Sequence, residues 1–145
     1  MTISEAIEKY HSKYYEELHK TGIFYSFTQE QFEENKIPKS APIEEFISCG
    51  NGMYIHKSNE HKLNEFYKTK DKELRKEFLK SIPQEELIYY ELLNHECFYT
   101  EEPLEILDII KCYYSEEPEE NLVNKIKEIY SKHRKEETTW QELSQ

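Results

Sequence analysis

Residues 45–57 read EFISCGNGMYIHK, and the pair at the centre decides what surrounds it. Asn51-Gly52 supplies the positive φ angles that a two-residue hairpin turn demands, because the twist of paired strands suits only turns of that hand. The runs on either side, Phe46 to Cys49 and Met53 to His56, are rich in aromatic and branched residues and read as two antiparallel strands. A lone hairpin is marginal in water. It needs a third strand and an apolar cover.

Both lie close by in the chain. GIFYSF at residues 22–27 has the composition of a short buried strand and completes a three-stranded antiparallel sheet. After it, Thr28 and Gln31 stand at capping-box spacing and open a short helix, TQEQFEEN, which Asn35 and the loop from Lys36 to Pro42 stop. Before it, Ile3, Ala6, Ile7, Tyr10, Tyr14 and Leu18 recur at helical steps, with Thr2 or Ser4 as a cap and Gly22 as the stop.

Downstream the pattern is helical throughout. Leu63, Phe66, Tyr67, Leu74, Phe78 and Leu79 form one apolar stripe, and Thr69 to Asp71 offers a break that divides it into two helices. Pro83 suits a first helical turn, and Leu87, Ile88, Tyr90, Leu92 and Leu93 make the next helix apolar over so wide an arc that it reads as central. Pro103 opens PLEILDIIKCYY, and after Pro118 a last helix carries Leu122, Val123, Ile126, Ile129 and Tyr130. The fold class expected is α+β, mainly helical with a small antiparallel sheet. One domain spans 1–135, and 136–145 forms a C-terminal tail with Trp140 as its aromatic anchor.

A chain of 145 residues fits one domain of ordinary size. Its hydrophobic share is low at 37%, but 12 Tyr, 7 Phe and 1 Trp supply wide contact areas for a core. No stretch approaches a spanning helix, and MTISEAIEKY at the start lacks the basic flank and apolar run of a secretory leader, so the expected home is the cytoplasm. Cys49, Cys97 and Cys112 are odd in number, scattered and outside any CxxC pair, which argues against a disulfide framework and a zinc ribbon.

The net charge of −11 is unevenly spread. Residues 84–120 hold twelve acids and the single base Lys111, which by itself equals the whole imbalance. Such a field repels phosphate backbones and attracts basic surfaces, so direct nucleic-acid binding through this face is disfavoured and a basic protein partner is favoured. The basic run from Lys57 to Lys80 is interleaved at helical spacing by Glu60, Glu65, Asp71, Glu73 and Glu77, the pattern of a solvated, salt-bridged face.

The stretch ELLNHECFYT, residues 91–100, gathers residue types that chemistry uses. On a helix His95 shares a face with Glu91, whereas Glu96 and Cys97 point elsewhere, and HECFY lacks the second histidine of an HExxH zinc site. The structural reading has Asn94 and His95 capping carbonyls at a helix end, with Cys97 and Phe98 in the core. The enzymatic alternative is a pocket of Tyr25, Glu91, Asn94, His95 and Tyr99, with His95 and Glu91 as its weak catalytic candidates. With three glycines and no GxxxxGK, GxGxxG or GxSxG, no nucleotide-binding loop is expected, and neither a cofactor nor a metal is implied.

GIFYSFTQEQFEEN, FISCGNGMYIHKSN and ELLNHECFYT, in that order, resemble a family of small uncharacterised proteins carried by bacteriophages and other mobile elements. The positions that carry the resemblance are Gly22, Phe24, Phe27, Gln31, Phe32, Glu33, Gly50, Gly52, Asn94, His95 and Glu96. It covers roughly residues 1–110; the segment after Pro103 departs from the pattern, being longer and more acidic. The resemblance carries no activity. It implies an accessory protein in a bacterial host's cytoplasm that binds host proteins, defence nucleases among them.

Two function classes follow. The first is a non-enzymatic, anti-defence inhibitor in which Glu101, Glu102, Glu105, Asp108, Glu116, Glu117, Glu119 and Glu120 dock on a basic, nucleic-acid-handling host protein in the manner of an anti-CRISPR protein. The second is a small enzyme or ligand-binding domain with its pocket around His95. A homodimer through exposed aromatics at Tyr113, Tyr114 and Trp140 is a further route to function.

Overall fold

The hairpin forms as its turn residues require: Asn51 and Gly52 take φ values of 53° and 77°. The computed structural model describes the backbone of residues 1–144 and the side chains of residues 1–136. Within it the chain divides into two compact units, Ser4–Glu77 and Phe78–Gln145 with Met1–Ile3. Its class is mainly helical α+β.

In the first unit α1 (Ile3–His19) leads into β1 (Phe24–Tyr25), followed by α2 (Gln29–Asn35), β2 (Phe46–Gly50) and β3 (Met53–His56). The sheet is antiparallel in the order β1-β3-β2, so the strand that closes the hairpin is the central one. Phe24 pairs with Tyr54 and Ser48 with Tyr54, while Gly50 pairs with Met53, which leaves Cys49 as a bulge before the turn. Side chains alternate across the sheet. Ile55, with Tyr25, Ile47 and Met53 beside it, packs in an aliphatic and aromatic core with Leu18, Ile23, Leu63 and Phe66.

The opposite face carries Phe24, Phe46 and Tyr54. The seven-residue α2 covers it through Phe32, whose ring meets those of Phe24, Phe46 and Tyr54 at 5.2–5.4 Å. Gly22, at φ +97°, ends the first helical segment, and the turn requires glycine there; a Cβ would stand 2.6 Å from the Asn59 amide, the movable end of that side chain.

The break expected at Thr69–Asp71 is absent. After α3 (Glu60–Glu65) the backbone widens into a π-helical turn over Phe66–Lys70 and continues as α4 (Asp71–Ser81). The Thr69 hydroxyl donates to the Glu65 carbonyl at 2.9 Å, so it satisfies one of the acceptors that the wider turn displaces.

The second unit comprises α5 (Gln84–Asn94), α6 (Cys97–Thr100), α7 (Leu107–Tyr113) and α8 (Glu119–Ser144). Its core gathers Ile88, Leu92, Cys97, Phe98, Ile106, Ile110, Leu122 and Ile126, and the Phe98 ring stacks on Tyr130 at 5.2 Å. Pro103 opens a 3₁₀ turn, Pro103–Ile106, rather than the α-helix itself, so α7 is shorter than PLEILDIIKCYY suggests. Tyr113 is buried, which removes it from any exposed aromatic patch, and Tyr114 is half-buried. The backbone of α8 runs on into the segment read as a tail, but the Trp140 side chain lies outside the described residues.

Candidate functional site

The residues at the hairpin tip are assembled from separate signals. Gln31 donates its N–H to the Thr28 hydroxyl at 3.1 Å, the first half of a capping box. The return bond goes one residue further back than that motif requires: the Gln31 side-chain oxygen accepts from the Phe27 N–H at 2.9 Å. The Ser26 N–H donates to the Gly52 carbonyl at 2.8 Å, tying the chain after β1 to the turn. Phe27 is thereby held over the turn, and a Cβ on Gly52 would stand 2.5 Å from its ring. The same ring is 76% exposed.

Below it lies an open groove of about 610 Å³, lined by the rings of Phe27, Phe32, Phe46 and Tyr54 and by the polar residues Ser26, Thr28 and Ser48. None of the described side chains that line it is charged. Its walls come from the loop after β1, from α2, from Ile43 and from the hairpin, segments that no single local pattern joins. The signal that pointed toward it is the motif of glycines and phenylalanines, since Phe27, Phe32 and Gly52 all belong to it.

The stretch ELLNHECFYT ends a helix, and part of its side-chain layout differs from expectation. Cys97 and Phe98 are core residues, as the structural reading requires. Glu96 and Glu101 bracket α6 in the left-handed region at φ 54° and 61°. The His95 ring does not cap a carbonyl; its Nε2 stands 3.4 Å from Glu91 Oε2. Glu91 is only 3% exposed, whereas Leu93, assigned to the core arc above, is 43% exposed. Asn94 and Tyr99 are exposed, and Tyr25 belongs to the other unit.

Among the described residues no well-formed hydrogen bond satisfies Glu91 Oε2, and burial, which outweighs the opposing charge and hydrogen-bonding pull of His95, pushes the Glu91 carboxyl above its ordinary value. A raised carboxyl favours the protonated form in the fold. Its contribution is therefore most favourable below the unfolded value of 4.5 and is lost as pH rises through the folded one. Glu91→Gln keeps the shape without the charge. It is expected to raise Tm at pH 7 by about 3 °C, with the gain vanishing near pH 4, as thermal unfolding across that range would show. Burial also pushes the Cys97 thiol up, aided by the nearby Glu105 and Glu102 charges, which is the reverse of what an activated nucleophile needs. Among the described residues no cluster of three or more His, Cys, Asp and Glu side chains is placed to hold a metal ion.

The acidic segment is distributed over the 3₁₀ turn, α7 and the start of α8. Of its eight candidate residues only Glu117 is half-buried; the others are exposed. Glu117 bonds Lys125 and accepts from Gln84 at 2.8 Å, Glu119 meets Lys111 at 3.4 Å, and Glu101 meets Arg134 at 3.2 Å. Glu102, Glu105, Asp108, Glu116 and Glu120 have no ion-pair partner among the described residues. Among these eight, the unpaired charge is thus carried by five exposed carboxylates. The other three are tied into the unit.

A family model matches residues 6–136, nearly the whole chain. The chain belongs to the DUF7659 family, a family of unknown function. The DUF7659 match extends through α7 and well into α8, so the acidic segment after Pro103 lies within the matched span. It equally contains every glycine and phenylalanine around the hairpin tip. No curated protein and no solved structure matches the chain. No helix among the described residues is long and apolar enough to cross a membrane.

Proposed function

We propose that this DUF7659 protein acts by binding another protein, and that its acidic segment docks on a basic surface. One observation carries the reading: five carboxylates, Glu102, Glu105, Asp108, Glu116 and Glu120, are exposed and without ion-pair partners among the described residues of a segment whose only base is Lys111. Unpaired like charges on one segment raise the local potential, and that accelerates and orients encounter with an oppositely charged partner. The partner class that fits is a nucleic-acid-handling protein, whose own basic groove is built for a chain of negative charge. Inhibition of a host defence complex by a mobile-element product is the concrete form of this proposal. That setting rests on the sequence resemblance alone.

Reversing Glu102, Glu105, Asp108 and Glu116 together to lysine is expected to abolish capture of the partner from nuclease-treated bacterial lysate while leaving Tm within about 2 °C, because exposed unpaired charges contribute little to stability. Wild-type capture should weaken steeply as salt rises. Capture that survives both the reversal and high salt would sink the reading.

A further inference from the structure

The aromatic groove of the first unit is a second surface, distinct from the acidic segment, and its chemistry differs. Its apolar lining is made by the rings of Phe32, Phe46 and Tyr54 and by the exposed Phe27, with Ser48 among the polar residues beside them. Acids stand next in the chain to the lining positions: Glu30 follows Gln29, and Glu44 follows Ile43. Glu33 and Glu45 are adjacent too, but they are held by Lys36 at 2.8 Å and His56 at 2.8 Å. Glu30 and Glu44 are exposed and have no ion-pair partner among the described residues. Across residues 26–54 there are five acids against Lys36 and Lys39, and Lys36 is buried.

We infer that this groove receives an extended segment of a basic protein, with one large apolar or aromatic side chain seated on the rings and flanking lysine or arginine facing Glu30 and Glu44. Three features select that occupant. The uncharged lining disfavours an anion or a free cation at the bottom, since a buried charge needs a partner. The rings offer faces for an aromatic or aliphatic anchor. Glu30 and Glu44, exposed, unpaired among the described residues and each next in the chain to a lining residue, then set the sign of the flanks. The open shape suits a peptide crossing the groove, and the hydroxyls of Ser48 and Thr28 can meet its backbone.

The test is a titration of the full chain, followed by amide NMR shifts, with a hexapeptide whose central tryptophan and leucine are flanked on each side by lysine and arginine. The expected result is saturable binding, with shift changes at Phe27, Thr28, Phe46, Ser48 and Tyr54. Phe27→Ala and Ser48→Tyr should each weaken it by about tenfold, the first by removing a wall and the second by filling the groove. Both positions have room to change without unfolding, since the Phe27 ring and Ser48 are exposed. Binding should persist in the variant with Glu102, Glu105, Asp108 and Glu116 reversed, which separates this surface from the acidic segment. A peptide with glycine at both central positions that binds equally well would overturn the inference, as would shifts confined to residues 101–120. Absence of saturation at millimolar peptide would overturn it as well, leaving the proposal for the acidic segment standing.

Discussion

Replacing Leu92 with alanine is expected to remove about 2–5 kcal/mol of stability, a large share of the roughly 5–15 kcal/mol that holds a domain of this kind folded. Leu92 is fully buried on α5, in the cluster that also holds Ile88, Ile106, Ile110, Leu122 and Ile126. That helix packs against α6, α8 and the 3₁₀ turn, so a truncated side chain leaves a cavity walled by several elements that cannot all close on it. Its neighbour in sequence is the control. Leu93 is 43% exposed, and Leu93→Ala should cost no more than about 0.5 kcal/mol. Urea titration of both variants reads the contrast directly as a shift of midpoint at constant slope. Equal losses for the two would mean that α5 is turned differently about its axis.

The same pair of leucines shows where sequence reading stops. EELIYYELLNHE is apolar on nearly every side, and a helix without a polar face gives the 3.6-residue period nothing to phase against. Such a pattern groups Leu93 with Leu92 and does not mark Glu91 as a buried acid. The burial of Glu91 opposes its own solvation, and only tertiary packing can impose that. The hairpin is legible for the opposite reason: Asn51-Gly52 encodes its backbone angles locally, so the turn and its two flanking strands follow from a few adjacent residues, whereas the strand order and the bulge at Cys49 do not.

The candidate surfaces divide along the same line. Charge is additive, so the acidic excess of residues 84–120 was visible in composition. Which acids remain unpaired was not, because Glu101 meets Arg134 and Glu117 meets Gln84, each 33 positions away. The groove was hidden more completely. Thr28 and Gln31 already had a sufficient explanation as a helix cap, and nothing in the local pattern says that Gln31 bonds the Phe27 N–H and so fixes the chain over Gly52.

That arrangement makes Gly52 the position where a small change should act on both stability and the groove. Gly52→Val is expected to cost about 2–3 kcal/mol, since φ is +77° there and a branched side chain in the left-handed region is strongly disfavoured. The Cβ would also meet the Phe27 ring at 2.5 Å, but that ring is exposed and can swing away, so the clash is relieved by moving the ring rather than the backbone. Gly50 separates the two effects. It sits at φ +87° with nothing within 4 Å of its would-be Cβ, so Gly50→Ala reports the backbone cost alone. Gly52→Ala should match it in backbone strain and add the loss of the Phe27 contact, a further 0.5–1 kcal/mol or about that. In a Phe27→Ala background the added part should disappear, which is the coupling a double-mutant cycle measures. If Gly52→Ala costs the same with and without Phe27, the ring does not rest on the turn, and the wall it gives the groove is lost with it.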